Sequence, residues 1–322
     1  MEKNLTLHQF LDSYRAKGNL KVLKKASGSI HEKYSKKFIS AKMLSGKEEH
    51  LAYVLYRMPA TYAATHKALE YVKEALPEFF PKTVLDLGTG PGTALVAALE
   101  LFPSIERGVG LERNEDFFPL WQDCFSFFKE DRVVFSPFSL EESYPDTPFD
   151  LVISSYTFGE LEEPTRAKWL AWAQKNAKVL LLVEPGTPEG CDLLLSVRHA
   201  GKILAPCPHA AQCPLKQEGK AWCHQQVRLP RTFIHRYVKE ASLGYEDEKF
   251  SYLSLLFDPT LATCIPPCRI VNTPRHRSGH TYLSLCTKRC AVEECIISRK
   301  RKELYALAKR ARWGESFPDP KA

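Results

Sequence analysis

The sequence predicts an α/β protein whose core is a doubly wound parallel β-sheet, with helices before this core and a cysteine-rich extension after it. Short runs of branched apolar residues, TVLDL, RGVGLE, RVVFSP, DLVISS and KVLLLVE, are separated by segments such as TALVAALELF and PTRAKWLAWAQKNA that have helical spacing. Strands that alternate with helices indicate a parallel sheet covered on both faces. In residues 1–75 the apolar positions recur every three or four residues, which predicts helices.

These patterns divide the chain into three parts: a helical region (1–75), an α/β core (76–200) and a cysteine-rich segment with further strands and a basic helix (201–322). In the last part, KFSYLSLLF and HTYLSLC predict strands that pair antiparallel at the sheet edge or in a small appended unit. Hydrophobic residues make up 44% of the 322 residues, so the chain can build a substantial core.

Composition also bears on location and partners. No run approaches the ~20 apolar residues that cross a bilayer, and the N-terminal segment carries Glu2 and Asp12, unlike a targeting peptide. The sequence therefore predicts a cytoplasmic bacterial protein, a monomer with no membrane partner. In a reducing compartment, ten cysteines favour metal or cluster ligation over disulfides. The net charge of +7 fits an anionic partner.

The segment TVLDLGTGPGTAL joins a strand to a helix through a glycine-rich turn. Asp86 lies near the strand end, and Gly88, Gly90 and Gly92 let the backbone turn tightly and approach a ligand. Glu112 follows the next strand, where a carboxylate can accept hydrogen bonds from both hydroxyls of a ribose. The combination favours a nucleoside-type ligand over a plain tight turn. The G-x-G-x-G spacing resembles that of S-adenosylmethionine methyltransferases, which implies S-adenosylmethionine as cofactor.

The catalytic residues stay unassigned, with Tyr156 and Glu160 as weak candidates. Both follow the fourth strand in FDLVISSYTFGELEEP, on the expected acceptor side of the site. Tyr156 can stack on a base and Glu160 can accept a proton, but FGEL can equally begin a helix with Glu160 in its first turn. The segment lacks the Asn/Asp-Pro-Pro-aromatic arrangement of amino-group methyltransferases and the Pro-Cys nucleophile of cytosine-carbon methyltransferases.

Three cysteines cluster in APCPHAAQCPLKQEGKAWCH: Cys207, Cys213 and Cys223, with five and nine residues between them. Cys286, at the end of HTYLSLC, is the strongest candidate for a fourth ligand. Four thiolates can hold an iron-sulfur cluster. Zinc, bound by these cysteines or by three of them with a nearby histidine, is the alternative, although the C-x2-C knuckle that zinc prefers is absent. The residues alone leave iron and zinc balanced.

The other cysteines are interpreted as core or incidental residues, because buried thiols behave as small hydrophobic side chains. Cys124 and Cys191 lie inside apolar patterns and are interpreted as structural. A second site is the alternative for the remaining four, which are Cys264, Cys268, Cys290 and Cys295.

The C-terminal stretch RKRKELYALAKRARWGE predicts a basic helix. Its cations, with Tyr305 and Trp313 interleaved, suit phosphate contacts combined with base stacking, and a solvated basic helix is the alternative. The candidate RNA-binding residues are Arg299, Lys300, Arg301, Lys302, Lys309, Arg310 and Arg312.

Taken in order, the motifs YRMPATYAATHKAL, VLDLGTGPGTAL, FDLVISSYTFGEL, LLVEPGTPEG, APCPHAAQCPL, WCH and RKRKELYALAKRARWGE resemble those of the methyltransferase-like mitochondrial small-ribosomal-subunit proteins and their bacterial relatives. The resemblance implies a class I methyltransferase fold, a four-iron cluster and association with small-subunit ribosomal RNA during assembly. It places the cluster ligands on Cys207, Cys213, Cys223 and Cys286, with Cys290 close to the fourth. The remaining cysteines and the first fifty residues depart from the family pattern.

Three functions follow from these observations. The first is an RNA-binding ribosome-assembly factor that binds S-adenosylmethionine and whose cluster stiffens the part that contacts RNA. The second is an active ribosomal-RNA methyltransferase, and the third is a redox or iron sensor in which loss of the cluster ends RNA binding. Methyl incorporation into small-subunit RNA separates the first two, and dependence of assembly on the cluster tests the third.

Overall fold

The computed structural model describes residues 3–14, 19–35, 44, 46–138, 144–217 and 221–322. Within these ranges the N-terminal region is helical, as predicted; residues 36–43 of that region lie outside them. Helix α4 starts after Arg57 and has a proline in its first turn, where the missing N–H removes no helical hydrogen bond. The helices before the first strand are α1 (Lys3–Tyr14), α2 (Leu20–Ser35), α3 (Gly46–Tyr56) and α4 (Met58–Ala75).

The main sheet contains eight of the described strands. They are β1 (Thr83–Leu87), β2 (Arg107–Glu112), β3 (Val133–Pro137), β4 (Phe149–Ser155), β5 (Ala177–Pro185), β6 (Lys202–Ala205), β7 (Gln225–Pro230) and β8 (Tyr245–Leu256). The order is β3-β2-β1-β4-β5-β8-β6, and β7 pairs with β8. Strands β1 to β5 are parallel to one another, and β8 is antiparallel to β5, β6 and β7.

This strand order identifies the fold. Five parallel strands followed by an antiparallel strand between the fifth and the sixth form the class I methyltransferase arrangement, so the predicted fold class is confirmed. The order reverses between β1 and β4, which lie side by side. Open α/β sheets bind their ligands at such a switch point, beyond the carboxyl ends of the strands.

Helices cover both faces of the main sheet, as the alternating pattern predicts. Leu151 and Leu181 face one buried core, which they share with α4, while Val152 and Leu182 face the other, which includes Trp169. The helices between the strands are α5 (Thr93–Leu101), α6 (Phe118–Phe128), α7 (Glu163–Asn176) and α8 (Pro188–Val197).

The segment after Gly201 contributes to both sheets. Strands β6, β7 and β8 extend the main sheet, and the later strands form a second, antiparallel sheet around β11 with its own small core. The predicted boundary at 200/201 thus falls between α8 and β6, which are consecutive elements of the same α/β fold. The remaining elements are α9 (Pro214–Gln217), α10 (Phe233–Val238), β9 (Cys268–Ile270), β10 (Arg275–Arg277), β11 (His280–Thr287), β12 (Val292–Ser298), α11 (Lys302–Arg310) and β13 (Ser316–Phe317).

A bilayer-spanning helix needs both length and apolar composition, and no helix in the described ranges has both.

Candidate functional site

The glycine loop after β1 has three left-handed positions: φ is +68° at Gly88, +51° at Gly90 and +88° at Gly92. An added Cβ would lie 2.2 Å from the Thr157 hydroxyl at Gly88 and 2.3 Å from the Phe125 ring at Gly92, so packing requires both glycines. At Gly90 no atom would lie closer than 4.0 Å. Gly90 is therefore the position that faces open space where a ligand can approach the backbone.

Glu112, at the end of β2, is tied to this loop. One carboxylate oxygen accepts the N–H of Gly90 at 2.9 Å and the other accepts the N–H of Asn114 at 2.8 Å. Burial raises the pKa of Glu112, while these backbone donors lower it. The amide nitrogen of Asn114 lies 3.4 Å from the His50 ring, which packs edge-on against Phe117. Helix α3 thus borders the site through His50, which the sequence pattern did not reveal.

Asp86, on β1, is 1% exposed. Both of its carboxylate oxygens lack a hydrogen-bond partner among the described residues. Burial, and to a smaller extent the neighbouring charge of Glu112, raises the pKa of Asp86 to about 7, and the nearby Thr89 hydroxyl only partly opposes this rise. A buried carboxylate without donors is costly in this form, which favours a ligand that brings a donor or a positive charge.

Two further acids lie at the same edge of the sheet. Glu184, near the end of β5, accepts the N–H of Gly159 at 3.0 Å, and burial raises its pKa to about 8. Glu160 lies in a short 3-10 helix after β4, and its pKa is raised to about 8 by burial and then by the charges of Glu184 and Glu112. With Asp86, these acids place three carboxyl groups at the carboxyl edge, and a cationic ligand would stabilise their deprotonated forms.

Tyr156, the other catalytic candidate, is held in place by Glu248 and Arg57. Its backbone is left-handed, with φ of +58°, which is strained for a residue with a side chain. Its hydroxyl donates to Glu248 of β8 at 3.0 Å, and the Arg57 guanidinium lies 5.2 Å from its ring centre. Arg57 and Glu248 approach each other at 3.6 Å. Burial raises the pKa of Tyr156 well above its ordinary value, so the phenol stays protonated at neutral pH. These residues form the clasp Arg57–Tyr156–Glu248.

The predicted thiols come together in a second region. Cys207 follows β6, Cys213 precedes α9 and Cys223 precedes β7, and all three line one small cavity of about 30 Å³. Cys191 of α8 lines the same cavity. Cys286 on β11 does not line this cavity, and its sulfur lies 3.6 Å from the His209 ring. We name the five thiols the thiol pocket. Cys191, interpreted from sequence as structural, thus lies among the predicted ligands.

The thiols of this pocket act on one another electrostatically. Burial, followed by the charges of Cys207, Cys191, Cys213 and Cys286, raises the pKa of Cys223 well above its ordinary value. Burial and the nearby Cys207 and Cys213 raise the pKa of Cys286 to about 12. Because metals and clusters bind thiolates, ligation here must displace protons.

The described residues contain no group of three or more His, Cys, Asp or Glu side chains close enough to ligate one metal ion. A structural zinc ion needs four ligands within about 2.3 Å of a single point. A cluster of several iron atoms holds its thiolates around a larger group. Among the described residues the thiols are not gathered around a single point, as ligation of one metal ion requires.

Two buried arginines fix the loops of this pocket. Arg198, at the end of α8, donates to the carbonyls of Ala211 at 2.7 Å and His209 at 2.9 Å, and so holds the loop between Cys207 and Cys213. No local sequence signal marks this arginine as structural.

Arg269, 2% exposed, joins three distant parts of the chain. It donates to the carbonyls of Pro206 at 3.2 Å and Gly314 at 3.1 Å, and it pairs with Glu74 of α4 at 3.3 Å. Its guanidinium also lies 4.7 Å from the Tyr71 ring centre. The cysteine segment, the C-terminal end and the N-terminal helices are thereby connected through one side chain.

The basic C-terminal residues are exposed, as a binding role requires. All seven predicted RNA-binding cations lie on the surface, and α11 turns Leu304, Tyr305 and Ala308 towards the second sheet. Trp313 donates to the carbonyl of His224 at 2.8 Å and packs on its ring at 4.5 Å. The two aromatic residues expected to stack on bases therefore pack against the protein instead, while the cations remain available.

The remaining cysteines differ in how far they are buried. Cys124 is buried in the core, as predicted; Cys268 is buried and Cys295 half-buried in the second sheet; Cys264 and Cys290 are exposed.

Several known proteins are similar to this chain. It is 26% identical over 294 residues to the human mitochondrial ribosome assembly protein METTL17, covering 83% of this chain and 62% of that protein. It is 23% identical to the Rsm22-cox11 tandem protein 2 of Schizosaccharomyces pombe, covering 83% of this chain and 43% of that protein. The chain thus spans less than two thirds of the length of these curated relatives.

Among solved structures, the precorrin-6y C5,15-methyltransferase of Geobacter metallireducens is similar, with 19% identity, a TM-score of 0.39, and coverage of 69% of this chain and 95% of that chain. The strand order above, rather than this likeness, identifies the fold. The model of the family described as mitochondrial small ribosomal subunit Rsm22 matches residues 47–318. The match includes α3, α4, the main sheet, the cysteine segment and the second sheet, and so this chain belongs to the Rsm22 family.

Proposed function

We propose that this protein binds S-adenosylmethionine at the carboxyl edge of its main sheet and acts in assembly of the small ribosomal subunit by binding ribosomal RNA. The observation that carries the proposal is the family match over residues 47–318, which spans both the glycine loop and the cysteine segment. The human relative is named as a ribosome assembly protein, which supports the same role for this chain.

The site residues fit S-adenosylmethionine. Gly90 leaves open space beside the backbone, and Glu112 has a carboxylate at the end of β2 where ribose hydroxyls can donate. The sulfonium and amino groups of the cofactor are cationic, and Asp86 is a buried carboxylate without donors. When bound, the cofactor supplies an activated methyl group. Asp86, Gly88, Gly90, Gly92 and Glu112 would hold it.

The clasp supports binding without methyl transfer as the main role. Tyr156 already uses its ring against Arg57 and its hydroxyl on Glu248, so neither is available to an acceptor base in this arrangement. A protonated phenol is also no general base. In this proposal the cofactor acts as a bound ligand that stabilises the assembly-competent protein.

Active ribosomal-RNA methylation is the second candidate, and one observation favours it. Glu160 and Glu184 have pKa values raised to about 8, near the range in which a carboxyl group can exchange protons at neutral pH. Their place beyond β4 and β5 is on the acceptor side of a class I site.

We further propose that Cys207, Cys213, Cys223 and Cys286 hold a four-iron cluster, with zinc as the alternative. The support is that Cys207, Cys213 and Cys223 line one cavity. Cys286, carried by β11, lies near enough to Cys223 to raise the pKa of that thiol. A sensor role, in which cluster loss ends RNA binding, is an extension of this proposal. Iron, sulfide and zinc analysis of anaerobically purified protein tests it; zinc without sulfide would contradict the cluster.

The function is tested in cells in which the chromosomal gene carries the Gly90→Arg substitution. Arginine fills the open space that faces the ligand, and Gly279→Arg, at a left-handed glycine of an exposed turn, is the matched control. Small-subunit content on sucrose gradients and methyl incorporation from labelled S-adenosylmethionine are both measured. Loss of assembly without any methyl incorporation by the wild type supports the binding role. Methyl incorporation that requires Gly90 and Glu184 supports the enzyme. Normal small subunits together with unchanged methylation of their RNA after complete gene deletion would end both.

A cytoplasmic location and a monomeric state remain predictions. The relatives are mitochondrial by name. Fractionation of the source cells and light scattering of the purified protein test these two points.

A further inference from the structure

A basic groove lies where the N-terminal helix α2 meets α10. Its volume is about 620 Å³, within the range of about 300–1,000 Å³ for ligand pockets. It is lined by five cationic side chains: Lys21, Lys24, Lys25, Arg231 and Lys239. It is far in sequence from the basic residues of α11, and the cysteine and glycine motifs do not contribute to it.

The cations of the groove are held in place by two acids and remain in excess over them. Glu246 accepts from Lys239 at 2.6 Å and pairs with Arg231 at 3.3 Å, which fixes these two cations beside α10. Glu240 pairs with Lys24. Lys21 and Lys25 are exposed on α2. An excess of positive charge in a concave surface attracts a polyanion.

One exposed and one half-buried aromatic ring border the groove. Phe233 is 60% exposed and stacks on Tyr237, with ring centres 6.3 Å apart and planes inclined by 26°. The Lys24 ammonium lies 5.7 Å from the Tyr237 ring, so the aromatic pair is next to the groove.

Cations beside exposed rings match single-stranded nucleic acid, whose phosphates pair with lysines and whose bases stack on aromatic side chains. A duplex hides its base faces and cannot use the rings in this way. An acidic peptide satisfies the lysines but has no use for the Phe233–Tyr237 stack.

We propose that the groove between α2 and α10, together with the rings of Phe233 and Tyr237, binds a single-stranded segment of RNA. This inference rests on the proposed role in small-subunit assembly and names a surface for it that is separate from α11.

The first test measures fluorescence anisotropy of a labelled 12-nucleotide single-stranded RNA with the full-length protein at several salt concentrations. The Lys21→Glu/Lys25→Glu variant should bind about tenfold more weakly, because attraction to two phosphates becomes repulsion. The slope of log affinity against log salt should decrease by about 1.4, or roughly 0.7 for each phosphate that is no longer neutralised. Lys168→Glu/Lys175→Glu, at exposed positions of α7, makes the same change in net charge and should bind as the wild type does.

The second test removes a ring. Phe233→Ala should weaken single-stranded RNA binding by about tenfold, the loss expected for one stacked base, and should leave duplex binding unchanged. Phe80→Ala, at a similarly exposed phenylalanine before β1, is its control. Ultraviolet crosslinking of the wild type, followed by peptide mapping, gives the same information without a variant: crosslinks at Phe233 or Tyr237 are expected.

The outcomes separate this inference from the function on which it rests. If the wild type binds no ribosomal RNA, the proposed function fails. If the wild type binds RNA but the groove variants equal their controls and no crosslink maps to Phe233 or Tyr237, the groove is not the binding surface. If the groove variants lose binding to a polyglutamate peptide and not to RNA, the partner class is wrong.

Discussion

The nucleoside site, which consists of the glycine loop with Asp86 and Glu112, and the thiol pocket are built in different ways. The nucleoside site takes its parts from consecutive strand ends of one parallel sheet, and backbone N–H groups hold its acids, as those of Gly90 and Asn114 hold Glu112. The thiol pocket takes its parts from irregular loops, one helix and a strand of the second sheet. Its loops are held by side chains that donate to carbonyls, as Arg198 and Arg269 do.

The difference teaches how each site depends on its ligand. A site made by a regular sheet is stable before the ligand arrives, because the sheet has its own core and ladder hydrogen bonds. Loops with few ladder bonds gain much of their order from whatever cross-links them. We therefore expect the two sites to respond oppositely to damage: loss of ligand should unfold the thiol pocket and leave the nucleoside site folded.

The largest effect is expected for Cys213→Ser. Removing one ligand of a cross-linking group should lower the free energy of unfolding by roughly 5 kcal/mol, part of the energy that a structural metal site contributes. Denaturant titration of anaerobically purified proteins measures it. Cys264→Ser, at an exposed thiol, should change little. Equal stability of the two variants would show that the thiol pocket is independent of any ligand.

Arg269→Met should come next, with a loss of about 3 kcal/mol. The change leaves Glu74 without its buried partner and two carbonyls without their donor. Denaturant titration and iron content are measured together, with Arg299→Met, at an exposed position, as control. Because Arg269 fixes the cysteine loop, iron retention should fall while S-adenosylmethionine affinity stays. If the affinity for S-adenosylmethionine falls instead, the two sites do not respond independently to the loss of Arg269.

Gly90→Arg should act on the nucleoside site in the opposite sense. Affinity for S-adenosylmethionine should fall at least about 100-fold, close to 2.7 kcal/mol, because the side chain occupies the ligand space. Calorimetric titration measures the affinity. The free energy of unfolding should change by only about 1 kcal/mol, the cost of placing a side chain at a left-handed backbone position. Gly279→Arg carries the same backbone cost and should keep the affinity. An unfolded Gly90→Arg protein would show that this loop is no more independent than the thiol pocket.

The smallest effect concerns pH. The pKa of Asp86 is about 7 and those of Glu160 and Glu184 are about 8, all raised by burial, so these acids are mainly protonated at pH 6. A cationic ligand binds the deprotonated forms. Affinity for S-adenosylmethionine should therefore rise between pH 6 and 7.5, by up to about tenfold per pH unit for each proton released.

The same shifts fix the sign for stability without ligand. The folded protein keeps protons that the unfolded chain releases near pH 4, so stability should fall as pH rises from about 4 to between 7 and 8, and should then level off. S-adenosylhomocysteine, which lacks the sulfonium charge, should show a weaker pH dependence of binding. Identical profiles for the two ligands would show that the acids do not face the sulfonium.

Local chemistry explains how much of this was predictable. The glycine loop, the acid after the second strand and the alternation of strands with helices depend on residues within about twenty positions of one another. The cysteine segment was visible because three thiols lie close in the chain. The inward packing of Tyr305 and Trp313 was not, since a basic sequence pattern does not say which face of a short helix a neighbouring sheet covers.

By itself, the sequence determined the class of fold, the nucleoside loop and the set of candidate thiols, because turn geometry, strand pattern and residue type act over short range. Only the tertiary structure decided the rest: that Cys191 joins the thiol pocket, that Arg57 and Glu248 clasp Tyr156, and that Arg269 reaches Glu74 across 195 positions of the chain. Such contacts are chosen by the packing of whole sheets and helices against one another, and side chains far apart in sequence carry no local signal that they will meet.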